Sequence, residues 1–199
     1  MIHVDPRPEP AGFDNQVREK GLAYLRKKNI PLDIPLPPKT GIQPYWKACL
    51  DDLYSSYRGI CAYIGIHFER ATGAGTVDHF IAKSKRAGLA YEWSNYRLAC
   101  SSMNSRKRDF DDVLDPFEVD NGWFQLELVS GTLFPAAGLP DDLKRRVRET
   151  IERLGLDDPV NREMRARRWH DYIVNYVSEE ALERYSPFIW YEARRQGLL

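Results

Sequence analysis

The sequence predicts an α+β fold in which a strand, loop, strand and helix form a small unit within a mainly helical domain that also carries an extra β-hairpin. Two short stretches typical of strands, 76–80 and 96–99, precede the polar segment 101–110, which contains no Pro or Gly and begins with serines suited to a helix start. Residues 123–128 alternate between apolar and polar, and Ser130-Gly131 follows, which indicates the hairpin.

Helical spacing of apolar residues accounts for most of the remaining chain. It predicts helices over 15–29, 44–57 and 141–154, and the Asp158-Pro159 and Ser186-Pro187 pairs are each typical of an N-cap followed by Pro at the first helical position. The prolines of 31–38 end the first helix, and Gly59 ends the second. Between Ile60 and Ile66 the apolar residues alternate, which favours another short strand.

The length of 199 residues suits one compact domain. We divide it into an N-terminal helical extension (1–57), a core (58–110), and a hairpin with C-terminal helices packed on that core (111–199). No stretch has the features of a membrane span or a signal peptide, so a cytoplasmic protein with no membrane partner is expected. Three cysteines cannot all pair with one another, which favours reduced thiols.

The formal net charge is zero, but the charges are segregated along the chain. Six basic residues lie close to the strand–strand–helix unit: Lys83, Lys85, Arg86, Arg106, Lys107 and Arg108. The segment 109–120 is acidic instead. The basic block suits phosphate contacts, whereas the simpler interpretation is two solvated faces.

Four residues in this unit suggest chemistry because they occur together. Asp78 and His79 end the first strand, Asn95 precedes the second strand, and Asn104 lies in the basic helix. Each also has an ordinary structural interpretation, as a cap, a turn residue or a solvated helix position. Their coincidence over three segments favours a functional site.

Those segments resemble the HNH nuclease family, whose fold is the ββα-metal motif. The similarity lies in T-V-D-H-F-I-A-K-S (76–84), Y-E-W-S-N-Y-R-L-A-C (91–100) and S-M-N-S-R-K (102–107), and it covers about residues 58–110. The resemblance implies an endonuclease that hydrolyses phosphodiester bonds, with DNA favoured over RNA. It implies His79 as the general base, Asp78 and Asn104 as ligands of Mg²⁺ or Mn²⁺, and Asn95 as the residue that orients the loop presenting His79.

The chain departs from this family where many members carry a zinc ribbon of two C-x-x-C pairs. The corresponding stretches begin with Cys61 and Cys100 but end with Ile64 and Met103. Because a structural zinc site needs four good ligands, structural zinc is not expected, and adding Cys49 and His67 would require an unusual geometry. We expect an apolar brace instead.

A looser similarity links the chain to HNH proteins that accompany an ATPase in bacterial anti-phage systems such as Septu. It lies in the D-P-F segment (115–117) and the T-I-x-x-L-x-L pattern (150–156), and it implies an ATPase partner protein. Two other functions stay open: a non-catalytic module that binds nucleic acid or protein on a decayed nuclease scaffold, and an effector held inactive by a partner. Tyr91, Trp93 and Tyr96 could stack on bases, although core packing is the commoner role.

Overall fold

A computed structural model describes residues 1–37, 39–71 and 75–199. The chain forms two compact units, each built from separate stretches of sequence. We call Pro6–Gly59 with Glu69–Asp111 the ββα unit, and Met1–Asp5 with Ile60–Phe68 and Asp112–Leu199 the helical unit. Within the described residues, seven α-helices and two small antiparallel sheets confirm the α+β class.

The ββα unit contains an antiparallel strand pair followed directly by a helix. Strand β1 (Gly75–His79) pairs with β2 (Tyr96–Cys100), and α3 (Ser101–Lys107) begins at the residue after β2 ends. Asp78 lies opposite Arg97 in the register, and His79 lies opposite Tyr96. This order is the predicted strand, loop, strand and helix, and the structure places each element within a few residues of its predicted position.

Two further helices complete the ββα unit. Helix α1 (Glu19–Lys27) continues a π-helical turn over Asp14–Arg18, and α2 (Leu50–Ser56) continues a 3₁₀ turn over Tyr45–Cys49. Leu25 and Leu53 are fully buried on these helices. Gly21 lets α1 approach the core closely, because a Cβ atom there would lie 2.2 Å from Cγ of Tyr91.

The helical unit packs four helices around a short hairpin. Its strands are β3 (Phe124–Leu126) and β4 (Leu133–Pro135), and its helices are α4 (Asp141–Leu154), α5 (Pro159–Ile173), α6 (Glu179–Tyr185) and α7 (Pro187–Arg195). The buried carboxylate of Glu192 on α7 accepts the backbone N–H of Leu126 at 2.8 Å, which ties the hairpin to the last helix.

The structure differs from the sequence analysis at residues 60–66. Instead of a strand, this segment forms a tight turn closed by one antiparallel bridge between Ile60 and His67. Gly65, with φ of 62°, provides the turn, and a Cβ there would lie 2.7 Å from Cβ of Phe188. Residues 61–66 are all buried, so the burial of this segment arises from packing in the helical unit and not from the alternating faces of a sheet.

The grouping of segments also differs from the three predicted divisions. Residues 6–59 belong with the strand pair, since Trp46 packs edge-on against His79 with ring centroids 4.7 Å apart. Residues 60–68 belong with the C-terminal helices, since the N–H of His67 donates to the carbonyl of Tyr185 at 2.9 Å. Such contacts join residues far apart in sequence, so periodicity does not reveal them.

No helix in the part of the chain that the structure describes combines the length and the apolar character needed to cross a membrane.

Candidate functional site

Asp78 and His79 occupy the end of β1 and are almost completely buried. Asp78 is 1% exposed and His79 is 6% exposed. A carboxylate at this depth needs polar partners, because burial of an unpaired charge is costly. The neighbours of these two side chains therefore indicate what the site can do.

One face of β1 meets one face of α3. Thr76 and Asp78 are two residues apart in a strand, so their side chains point to the same side of the sheet. Asn104 and Lys107 are three residues apart in a helix, so they lie next to one another on its surface. The predicted convergence of Asp78, His79 and Asn104 is found, since all three line the same cavity.

Asn104 is held in a fixed orientation by Thr76. Its carboxamide nitrogen donates to the Thr76 hydroxyl at 2.9 Å, and that hydroxyl donates to the carbonyl of Ala99 at 2.9 Å. With the nitrogen engaged in this way, the carboxamide oxygen is the atom available to a ligand. Asp78 and Asn104 thus supply two oxygen donors of the kind that hard divalent cations prefer.

Lys107 is the buried counterion of Asp78. Its side chain is fully buried, and Nζ lies 3.6 Å from Oδ1 of Asp78. The ammonium also donates to the backbone carbonyls of His79 at 3.3 Å and Phe80 at 2.9 Å. Lys107 was predicted to contact nucleic acid, but a fully buried ammonium with these partners instead fixes the end of β1 and the Asp78 carboxylate.

The two ring nitrogens of His79 have different roles, because only Nε2 makes a hydrogen bond to the backbone of the described residues. Nε2 lies 3.0 Å from the carbonyl oxygen of Ala90. A carbonyl only accepts, so Nε2 carries the proton, and Nδ1 of the neutral ring is an acceptor. The Tyr96 hydroxyl donates to the same carbonyl at 2.7 Å.

The His79 imidazole is neutral at cellular pH. Burial, followed by the positive charge of Lys83, lowers its pKa to about 3, although the hydrogen bond to Ala90 acts in the opposite direction and Lys107 adds a smaller lowering effect. A neutral ring with an unprotonated Nδ1 has the form that a general base requires.

Asn95 fastens the loop that follows β1. Its Oδ1 accepts the backbone N–H of Ile81 at 2.8 Å, while Nδ2 donates to the carbonyls of Ile81 and Leu89, both at 3.0 Å. Leu89 is adjacent to Ala90, which holds His79. Asn95 thus joins the two ends of the segment from Ile81 to Leu89 through hydrogen bonds to their backbones.

A cavity of about 620 Å³ opens onto these groups. β1, α3 and the segment before α2 all contribute to its lining. Three cationic side chains, Lys47, Lys83 and Arg108, share the lining with the carboxylates of Asp78 and Asp109. An anion such as a phosphodiester suits this combination of cations and oxygen donors.

The six predicted nucleic-acid contacts separate into distinct groups. Lys83 and Arg108 are exposed and line the cavity. Lys85 pairs with Asp111 at 2.5 Å, and Arg86 pairs with Asp33 at 3.4 Å, so both are engaged at the surface by acids. Arg106 is half-buried on α3, outside the cavity lining, and Lys107 is buried as described above.

The three aromatic residues of 91–96 are packed in the core and are not exposed for stacking on bases. Tyr91 and Tyr96 are fully buried and Trp93 is nearly so, which confirms them as core residues.

Cys49, Cys61 and Cys100 are buried thiols. Ile64 and Met103, at the positions where a zinc ribbon has cysteines, are buried as well. Among the described residues, no group of three or more His, Cys, Asp or Glu side chains forms a metal-binding cluster.

Sequence reasoning missed three contributors to the site. Trp46 packs against His79, Thr76 holds Asn104, and Lys47 lines the cavity. The position of Thr76, two residues before Asp78 in one strand, was a signal that would have found it. The sequence contains no comparable signal for Trp46 and Lys47, because they reach the site only through tertiary packing.

No protein-family model matches this chain, and a search of curated proteins finds no similar sequence.

Proposed function

We propose that this protein is a metal-dependent endonuclease of the HNH type that hydrolyses phosphodiester bonds, with DNA favoured over RNA. The observation that carries the proposal is the arrangement around His79. Its Nε2–H is fixed on the Ala90 carbonyl, 3.0 Å away, and it shares one cavity with Asp78 and Asn104. A neutral imidazole beside two oxygen donors is the combination that metal-assisted hydrolysis of a phosphodiester uses.

The donor set fits a divalent cation such as Mg²⁺ or Mn²⁺. Asp78 and Asn104 would hold it, and Mg²⁺ commonly binds few protein oxygens and completes its shell with water and substrate phosphate. When bound, the ion would polarise the scissile phosphate and stabilise the leaving oxygen. The Lys107 ammonium, 3.6 Å from Oδ1 of Asp78, keeps that carboxylate in its position at the end of β1.

In the proposed mechanism His79 removes a proton from water through Nδ1. The pKa of about 3 ensures that the ring is neutral before substrate binds. A phosphodiester anion entering the cavity adds negative charge near the ring, which raises its pKa and makes it a stronger base. Asn95 and Ala90 keep the ring in place during the transfer, and exposed Lys83 is positioned to hold the substrate phosphate.

The test is incubation of the purified chain with plasmid, single-stranded DNA and RNA, each with Mg²⁺, Mn²⁺ or EDTA. We expect cleavage with metal and none with EDTA. His79→Ala is expected to cut at least about a hundredfold more slowly. The matched control is His170→Ala, which removes an exposed histidine on α5 and is expected to cut at the parental rate.

Cleavage by His79→Ala at the parental rate would remove His79 from the mechanism. Binding of nucleic acid with no cleavage under any metal would favour the alternative of a non-catalytic module on a nuclease scaffold.

The proposal extends to anti-phage defence with an ATPase partner only through the sequence resemblance at 115–117 and 150–156. Thr150 accepts the N–H of Leu114 at 3.0 Å, and Asp115 accepts the N–H of Phe117 at 3.0 Å. Both residues therefore have a role in building the helical unit, and the partner rests on the resemblance alone.

A further inference from the structure

One wall of the cavity comes from a segment that precedes α2. This cover segment, residues 32–37 and 39–47, is fastened to the loop after β1 at several points. The backbone N–H of Gly88 donates to the carbonyl of Leu32 at 2.9 Å. The backbone N–H of Leu36 donates to the carbonyl of Ser84 at 2.7 Å. The Tyr91 hydroxyl donates to the carbonyl of Gln43 at 2.8 Å. The cover segment is thus a fixed part of the site.

The cover segment makes the site a cavity instead of an open face. Its residues Leu36, Ile42 and Trp46 line the same space as Asp78 and His79, which are 1% and 6% exposed. A volume of about 620 Å³ falls in the range of pockets that take a single small ligand. One nucleotide is of that size, whereas a base-paired double helix is not. A site of this size can take an unpaired nucleotide together with its phosphate, as proteins that bind single strands do.

Trp46 and its neighbours have the chemistry that recognises unpaired nucleotides. Nζ of Lys83 lies 5.6 Å from the centroid of the Trp46 ring, and that ring stands at 85° to the His79 ring. Lys47, the residue after Trp46, is exposed and lines the cavity. Single-stranded nucleic acid is bound by this pairing of an aromatic surface for bases with cations for the backbone.

We infer that the cavity takes an unpaired stretch of nucleic acid, with a base against Trp46 and the adjacent phosphates near Lys47 and Lys83. This inference rests on the proposed nuclease function and specifies its substrate as a single strand. The substrate phosphate reaches His79 from the side of the cover segment. A double helix would have to open before it could be cut.

The experiment measures binding in EDTA, so that cleavage does not enter the result. The probes are a fluorescein-labelled 12-nucleotide single-stranded DNA, the RNA of the same sequence and the corresponding blunt DNA duplex, followed by fluorescence anisotropy. We expect the protein to bind a single strand at least about tenfold more tightly than the duplex. The DNA and RNA arms identify which polymer is favoured.

Variants test which residues carry the preference. Trp46→Ala is expected to weaken single-strand binding about tenfold, whereas Trp46→Phe keeps an aromatic surface and is expected to retain most of it. Lys47→Ala with Lys83→Ala is expected to weaken binding and to reduce its salt dependence. Lys27→Ala is the matched control, because Lys27 is an exposed lysine of the same unit outside the cavity lining. Thermal melting of each variant checks that it is folded.

Equal or tighter binding of the duplex would overturn the inference, as would a Lys47/Lys83 double variant that behaves like Lys27→Ala. Absence of binding to every probe would overturn it as well. The proposed function is tested by a different outcome. Metal-dependent cleavage that requires His79 would support the nuclease proposal even if the protein prefers the duplex. Single-strand binding without cleavage would keep only the present inference.

Discussion

His79 is a buried residue whose protonation state is coupled to the stability of the fold. The folded pKa is about 3, while an unfolded histidine titrates near its ordinary value of 6.5. Between these two values the unfolded chain binds a proton that the folded chain does not, so stability is complete above about pH 6.5 and falls as the pH decreases towards 3.

This difference predicts a measurable loss of stability in acid. At pH 5 the His79 contribution amounts to about 2 kcal/mol of unfolding free energy relative to pH 7.5. Urea unfolding in EDTA at both pH values measures it. His79→Gln removes the titrating group. Between pH 7.5 and pH 5 the unfolding free energy of this variant is therefore expected to decrease by about 2 kcal/mol less than that of the parental protein. An equal loss in both proteins would mean that His79 is not buried in neutral form.

Lys107 gives a second prediction for a single residue. Lys107→Met keeps most of the side-chain volume but leaves the 1%-exposed Asp78 carboxylate without its ammonium partner. Breaking one member of a buried pair typically costs about 3 to 5 kcal/mol. We expect a loss of this order in urea unfolding, and a loss smaller than the sum of the single changes when Asp78→Asn is added. Additive losses would show that the two side chains are not coupled.

At the scale of elements, Gly21 sets the distance between α1 and the core. Alanine in a helix interior usually stabilises relative to glycine by about 1 kcal/mol. Gly21→Ala is expected to destabilise instead, by about 1 to 3 kcal/mol, because its Cβ would lie 2.2 Å from Cγ of Tyr91. Gly138→Ala is the control, since a Cβ there has no neighbour within 4 Å. Thermal melting of both variants checks the prediction, and an increase in Tm for Gly21→Ala would contradict the close packing of α1.

Local sequence signals predicted the elements that carry the site but not the elements that enclose it. Thr76 to Phe80, Asn95 and Asn104 lie within 29 residues, so strand periodicity and helix signals sufficed to order β1, β2 and α3. The cover segment depends on contacts such as Gln43 with Tyr91, 48 residues apart. Ile60 to Ile66 alternates as a strand does, yet Gly65 and its contact with Phe188 produce a turn. Tertiary packing decides both cases, and a single sequence does not encode it in a local pattern.

At the scale of the whole molecule, the sequence predicts an apolar brace in place of a zinc ribbon, and this stays a prediction. Cys61 and Ile64 are buried residues of the helical unit, and Cys100 and Met103 are buried residues of the ββα unit. If no structural zinc is present, excess EDTA is expected to leave Tm unchanged, because folding then does not depend on metal. Elemental analysis of the purified protein accompanies the melting experiment. Stoichiometric zinc together with a large decrease in Tm in EDTA would return Cys49, Cys61, His67 and Cys100 to consideration as ligands.

Each unit is built from separate stretches of the chain, and this affects the order in which the units can fold during synthesis on the ribosome. All of the ββα unit has been translated once Asp111 is added, and chains often begin to fold while their later parts are still being made. The helical unit must wait, because Val4 bonds to the carbonyl of Pro116 and Leu126 to the carboxylate of Glu192. We therefore expect Asp78, His79 and Asn104 to come together on the nascent chain, while residues 60–68 stay without their partners Tyr185 and Phe188 until α6 and α7 have been made.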